Sequence, residues 1–147
     1  MPVETLFVIP PFTQLNTPYP STAYLTGYLQ SQNISSNQCD LSIELFNTIF
    51  TTKVIRSLFQ EAKYLSDIAF DSVWKQRKQY IQKVDQVTNY LRHQDDLTAS
   101  LIISKDFLPK AHRSKKRVDG FDKLSLTDQA KHVATLFIME LGDFITA

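Results

Sequence analysis

The sequence predicts an α/β protein that is mostly helical, with two short parallel strands in a βαβ element and a helical bundle-like region after it. The wholly apolar run Leu6–Ile9 is stopped by Pro10-Pro11, as expected of a strand buried on both faces. From Ser42 to His93 the chain contains neither glycine nor proline, and its apolar residues recur at helical spacing. These two patterns define the predicted class.

The N-terminal third predicts a strand, a helix and a second strand. After Pro10-Pro11, Ser21 or Thr22 can cap a helix whose good helix formers continue to residue 31. The segment NISSN then breaks the pattern, and residues 37–41 follow as a second strand. The intervening length suits a parallel crossover.

The glycine- and proline-free stretch predicts two or three amphipathic helices, the last of them long. Its first apolar groups are Ile43, Phe46, Ile49 and Phe50, and then Val54, Ile55, Leu58 and Phe59. The last helix carries an apolar stripe opposite lysine and glutamine, made of Phe70, Val73, Trp74, Ile81, Val84, Val87 and Leu91.

Two more helices are predicted toward the C-terminus. Asp95-Asp96 suits the start of a short helix that runs through Ile103. Residues 105–117 are interpreted as a loop. The segment 125–128, SLTD, resembles a capping box with aspartate in the usual glutamate position, and it opens a helix to about Ile145.

The composition describes an ordinary soluble globular chain. With 147 residues, 43% apolar and 21% charged, it predicts a single domain, 1–147, made of the βαβ element (1–50) and a helical region (51–147). A net charge of +1 argues against nucleic acid as a partner.

The lone Cys39 fits a reducing compartment, and neither a signal peptide nor a membrane span is expected. The predicted location is therefore cytoplasmic.

Most kinds of catalytic or metal site are not indicated. His93, His112 and His132 are scattered and lack the spacing of zinc ligands. The three glycines stand too far apart for a phosphate-binding loop, and no nucleophile motif occurs. Cys39 is interpreted as an inert buried thiol, and the basic segment 113–117 as a solvated loop. No catalytic residue and no metal ligand is predicted.

The proline-rich loop after the first strand is the best candidate for a ligand site. A helix start presents unpaired N–H groups toward the carboxyl end of the strand, where ligands lie in open parallel sheets. Ala23 and Gly27, one turn apart, could let that helix face approach a sheet or a flat ligand closely. The alternative is that the prolines only shape a stable turn and that Gly27 only permits packing. The predicted cofactor-binding residues are Pro10, Pro11, Phe12, Thr13, Ser21 and Thr22.

The same region resembles the N-terminal part of radical SAM enzymes that carry a cobalamin-binding-type, Rossmann-like domain. The resemblance covers residues 5–50 and follows the family's opening order of strand, double proline, proline-bearing loop, helix and strand ending in aspartate. These elements are Leu6–Ile9, Pro10-Pro11-Phe12, the loop with Pro18 and Pro20, Tyr24–Leu29 and Cys39-Asp40-Leu41. The motif is moderately specific.

The resemblance implies an accessory role rather than catalysis by this chain. The family's four-iron cluster needs CxxxCxxC, and cobalamin binders of the methyltransferase type use DxHxxG; neither string occurs here. We therefore expect no cofactor on this chain alone, although S-adenosylmethionine, an iron–sulfur cluster and cobalamin are implied for the full-length family. The simplest interpretation is a fragment or truncated paralogue whose partner is a downstream radical SAM domain.

Two other interpretations stay open. A stand-alone module could bind a protein partner through its helical middle, and a small independent enzyme is the third possibility. The C-terminal helix is apolar around most of its circumference, which predicts self-association through residues 126–145 with Phe137 or Phe144 near the contact. The alternative is that this helix is the core helix of a complete small domain.

Overall fold

The computed structural model describes residues 5–11, 20–62, 71–113 and 120–146. It confirms the predicted class, because the chain is mostly helical and contains a short parallel pair of strands. Two compact units are present, Met1–Ile49 and Phe50–Ala147, named here the βαβ unit and the helical unit. No helix in the described ranges is long and apolar enough to cross a membrane.

The βαβ unit is built on a parallel pair of strands. Its elements are β1 (Thr5–Ile9), α1 (Pro20–Ser31), β2 (Ser36–Asp40) and α2 (Leu41–Ile49). Thr5 lies opposite Ser36, and Ile9 lies opposite Asp40, so both strands end at the same edge. The Ser42 hydroxyl donates to the Pro10 carbonyl at 2.9 Å, which fixes the start of α2 against the end of β1.

The N-terminal end of α1 differs from the prediction, and its C-terminal end is closed by a left-handed residue. The helix begins at Pro20, because the first helical position needs no N–H and tolerates proline. Ser21 and Thr22 therefore lie inside the first turn, and the prediction that one of them caps the helix is wrong. At the other end, Asn33 adopts a left-handed φ of 58°, and the Ile34 N–H donates to the Leu29 carbonyl at 2.9 Å.

Gly27 does not serve as a close-approach residue. A Cβ added at Gly27 would meet nothing within 4 Å, so Gly27 does not provide a close approach to the sheet. The predicted approach of a flat ligand to Ala23 and Gly27 stays a prediction. The residue of α1 that faces the strands is Thr26, which is buried. Its carbonyl accepts a hydrogen bond from the hydroxyl of the buried Ser36 at 3.1 Å.

The helical unit packs its helices around α5. Its described elements are α3 (Thr52–Glu61), α4 (Asp71–Lys75), α5 (Arg77–His93), α6 (Asp96–Ile103), a 3-10 turn (Phe121–Lys123) and α7 (Leu126–Thr146). The predicted long helix is divided at Gln76, whose side chain bonds both backbone groups of Lys110 at 3.0 Å. Buried side chains of α5 include Tyr80 and Tyr90, which the predicted apolar stripe omits.

The caps at α6 and α7 follow the sequence. Asp95 accepts a bond from the Thr98 N–H at 2.8 Å, and Ser125 Oγ accepts one from the Asp128 N–H at 3.1 Å. The Asp128 carboxylate accepts from the Ser125 hydroxyl at 2.7 Å instead of reaching the backbone as glutamate does in a capping box. Ser125 therefore still caps the helix, but the shorter aspartate side chain bonds the Ser125 hydroxyl and not the backbone N–H.

A buried carboxylate connects α5, α7 and the preceding loop. Glu140, 2% exposed, accepts a bond from the Tyr80 hydroxyl at 2.6 Å and one from the Arg113 N–H at 2.7 Å. The Arg113 guanidinium also donates to both oxygens of Asp143, and this pairing lowers the pKa of that carboxyl. Arg113 is therefore ion-paired although its side chain stays 36% exposed, and residues 114–117 of the basic segment lie outside the described residues.

The aromatic residues of α7 point inward. Phe137 is 2% exposed and stacks on Tyr80 with ring centroids 4.9 Å apart, while Phe144 lies 4.6 Å from the Phe59 ring centroid. A contact between copies through Phe137 is thus not compatible with this packing. The alternative expectation, a core helix, describes α7 better.

Candidate functional site

A cleft of about 750 Å³ lies at the edge where both strands of the βαβ unit end. The end of β1, the start of α1, the end of β2 and the start of α2 surround it. Its lining residues are Ile9, Pro20, Thr22, Ala23, Tyr24, Gln38, Cys39, Asp40 and Ile43. The volume falls within the range of about 300–1,000 Å³ that is usual for small-molecule sites.

The cleft contains part of the predicted site. Thr22 lines it, whereas Ser21 is an exposed neighbour that does not. Pro10 and Pro11 follow β1 and are exposed, but neither is a lining residue. Phe12 and Thr13 lie outside the described residues.

Sequence reasoning missed the contribution of the second strand. Gln38, Cys39 and Asp40 line the cleft because β2 is parallel to β1 and ends beside it. The available signal was the predicted parallel pairing, which places both carboxyl ends at one edge of a sheet. Tyr24, 78% exposed, was also missed and provides an aromatic wall.

Asp40 both caps a helix and borders the cleft. Its Oδ1 accepts from the N–H groups of Ser42 and Ile43 at 2.9 and 3.1 Å, at the N-terminus of α2. This bonding fixes the side chain at the cleft wall. Among the described residues that line the cleft there is no lysine or arginine, so the Asp40 carboxylate favours ligands that donate hydrogen bonds over phosphates.

The cofactors of the resembling family require donors that this chain does not supply. One cysteine cannot provide the three thiolates of the family's cluster, and residues 1–50 contain no histidine for an axial ligand to cobalt. Among the described residues, no group of three or more potential ligands could hold a metal ion. The cleft itself supplies shape and hydrogen-bonding groups, among them the Asp40 carboxylate.

Comparison with protein-family models, with curated proteins and with solved structures finds no match to this chain.

Proposed function

We propose that the βαβ unit is the N-terminal accessory region of a radical SAM enzyme, and that it forms or covers part of a substrate or cofactor site. The supporting observation is the cleft at the carboxyl edge of two parallel strands, the position where ligands lie in open α/β sheets. The order of strand, double proline, helix and strand supports the family assignment within this proposal.

The lining residues define what this chain contributes. Thr22, Gln38 and Asp40 supply hydrogen-bonding groups, and Tyr24 supplies a flat apolar surface. Catalysis and cluster binding belong to a partner radical SAM domain. A cytoplasmic location, where Cys39 stays reduced, is part of the same proposal.

Ligand titrations of a variant whose cleft is filled by a bulky side chain test the proposal. Tight cofactor binding is not expected of this chain alone, so the test looks for weak binding: backbone NMR titrations with hydroxocobalamin and with S-adenosylmethionine at millimolar concentration should give saturable shifts at Thr22, Ala23, Gln38 and Asp40 for at least one of them. Ala23→Tyr should abolish these shifts by filling the cleft, while Ser21→Tyr, two positions away and outside the lining, should retain them. If neither compound shifts the cleft residues, or if both variants behave alike, the proposed site is wrong.

The family assignment has a separate test. A CxxxCxxC motif should be encoded in the same reading frame as the chain or in an adjacent gene, since the cluster needs three cysteines from elsewhere. If both places lack it, the family assignment fails even when the cleft binds a ligand.

A second proposal is a protein-interaction role for the helical unit, with another copy of the chain as partner. Leu97 and Leu101 lie one turn apart on α6 and are 75% and 41% exposed, so they form an apolar spot on one helix face. Sedimentation velocity should show a mass that rises with concentration. Leu97→Glu should suppress the rise, and Thr135→Glu, at an exposed position of α7, should not. A strictly monomeric wild type would contradict this proposal.

A further inference from the structure

The helical unit contains a second concavity that the proposed function does not use. It has a volume of about 500 Å³ and lies among α3, α4 and α5. Its lining residues are Arg56, Phe59, Gln60, Trp74, Arg77, Lys78, Ile81 and Gln82, a set that we call the basic groove. Three of the eight are cations and none is acidic, whereas the cleft of the βαβ unit has the opposite character.

Aromatic rings form the apolar part of the basic groove. Phe59 is only 3% exposed, and its ring centroid lies 6.2 Å from that of Trp74, with the two planes tilted by 57°. This contact holds the half-buried Trp74 in place at the groove wall. A fixed indole is a suitable surface for stacking a planar ring, as aromatic side chains are for bases in nucleic-acid binders.

One cation already lies over one face of the indole ring. The Arg77 Cζ lies 4.6 Å from the Trp74 ring centroid, and Arg77 Nη1 donates to the Trp74 carbonyl at 3.0 Å. These two contacts restrict the guanidinium before any ligand arrives, which lowers the entropy lost on binding. Several of its N–H donors are left over for an anion, since guanidinium carries five.

The other two cations complete a site for negative charge. Arg56 and Lys78 are exposed at the groove on α3 and α5. Among the described residues, neither these two nor Arg77 forms an ion pair with a carboxylate. Three unneutralised cations in one concavity attract phosphate or a similar anion, and charge-assisted hydrogen bonds strengthen that contact.

We propose that the basic groove binds a mononucleotide, with the base stacked against the face of Trp74 opposite Arg77 and the phosphate held by Arg56, Arg77 and Lys78. A ring and an anion on one small ligand match the aromatic wall and the cations of the groove, and the volume suits a small molecule. A longer nucleic acid is a poorer match, because the net charge of the chain is only +1.

Trp74 is the only tryptophan of the chain, so its fluorescence reports directly on the groove. Titration of the full chain with AMP and ADP should change this fluorescence saturably. Adenosine lacks the phosphate and ribose 5-phosphate lacks the base, so each should bind at least about tenfold more weakly. Inorganic pyrophosphate that binds as tightly as ADP would mean a plain anion site and would overturn the proposal. An oligonucleotide that binds far more tightly than AMP, with steep salt dependence, would overturn it in favour of a nucleic-acid surface.

Charge-removing variants locate the site. Arg56→Gln and Lys78→Gln should each weaken AMP binding by about tenfold, since each removes a charge-assisted bond to phosphate. Lys123→Gln is the matched control, because it removes an exposed lysine of the same unit outside the groove. Circular dichroism melts of the three variants establish that each is folded. Equal AMP affinities in all three would overturn the proposal, and Ala23→Tyr in the other unit should leave AMP binding unchanged.

Discussion

Phe137→Ala should lower the free energy of unfolding of the helical unit by about 3–5 kcal/mol. The ring is 2% exposed and stacks on Tyr80 with centroids 4.9 Å apart, so truncation loses buried apolar surface and leaves a cavity. Whole domains are stable by only about 5–15 kcal/mol, so the loss should be plain in urea unfolding followed by Trp74 fluorescence.

The control for this prediction lies on the same helix. Met139 is 41% exposed, so Met139→Ala should change the stability by less than about 1 kcal/mol. The comparison also decides between the two interpretations of α7. If Phe137 contributed to a contact between copies, Phe137→Ala would reduce the mass in sedimentation and leave the stability of the monomer intact, contrary to the packing described above.

Tyr80→Phe should make the free energy of unfolding less dependent on pH above about 10. Burial in the helical core, and then the hydrogen bond to Glu140, raise the pKa of Tyr80 above its ordinary value of 10.0. A raised pKa means that the folded state favours the neutral phenol, so its stabilising effect is complete below the unfolded pKa. That effect is lost as the pH rises above about 10, because the unfolded tyrosine then releases a proton that the folded one retains.

The measurement is urea unfolding of wild type and Tyr80→Phe between neutral pH and pH values above 10. Near neutrality, Tyr80→Phe should be less stable by about 1–3 kcal/mol, since Glu140 loses a buried hydrogen-bond donor. Above pH 10, the wild type should lose stability more steeply than the variant, by about 1.4 kcal/mol per pH unit. Parallel pH profiles would show that the Tyr80 hydroxyl is not held neutral by the fold.

Local signals in the sequence predicted most elements correctly where neighbouring residues control them. The Pro10-Pro11 pair ends β1, α6 begins at the Asp95-Asp96 pair, and Ser125 caps α7, each as expected. One error arose where a distant residue intervenes. The long helix is divided at Gln76 because its side chain bonds the backbone of Lys110, 34 residues away.

The candidate site was found only in part for the same reason. Thr22 could be predicted because it belongs to the helix that follows the strand and the double proline. Gln38 and Asp40 line the cleft because β2 pairs in parallel with β1. The sequence of β2 alone does not indicate that these residues line a site. The basic groove was missed because Arg56 lies on a different helix from Trp74 and Arg77, so no single segment shows the cluster.

By itself the sequence determined the class of the fold, the type of its main elements and the chemical groups that it lacks. Those properties depend on apolar periodicity, on proline and caps, and on the count of cysteine and histidine, all of which are local or compositional. Only the tertiary structure decided which polar groups meet, such as Tyr80 and Glu140, 60 residues apart. Such pairs form because burial leaves a polar group no other partner, and which partner is near depends on how the helices pack.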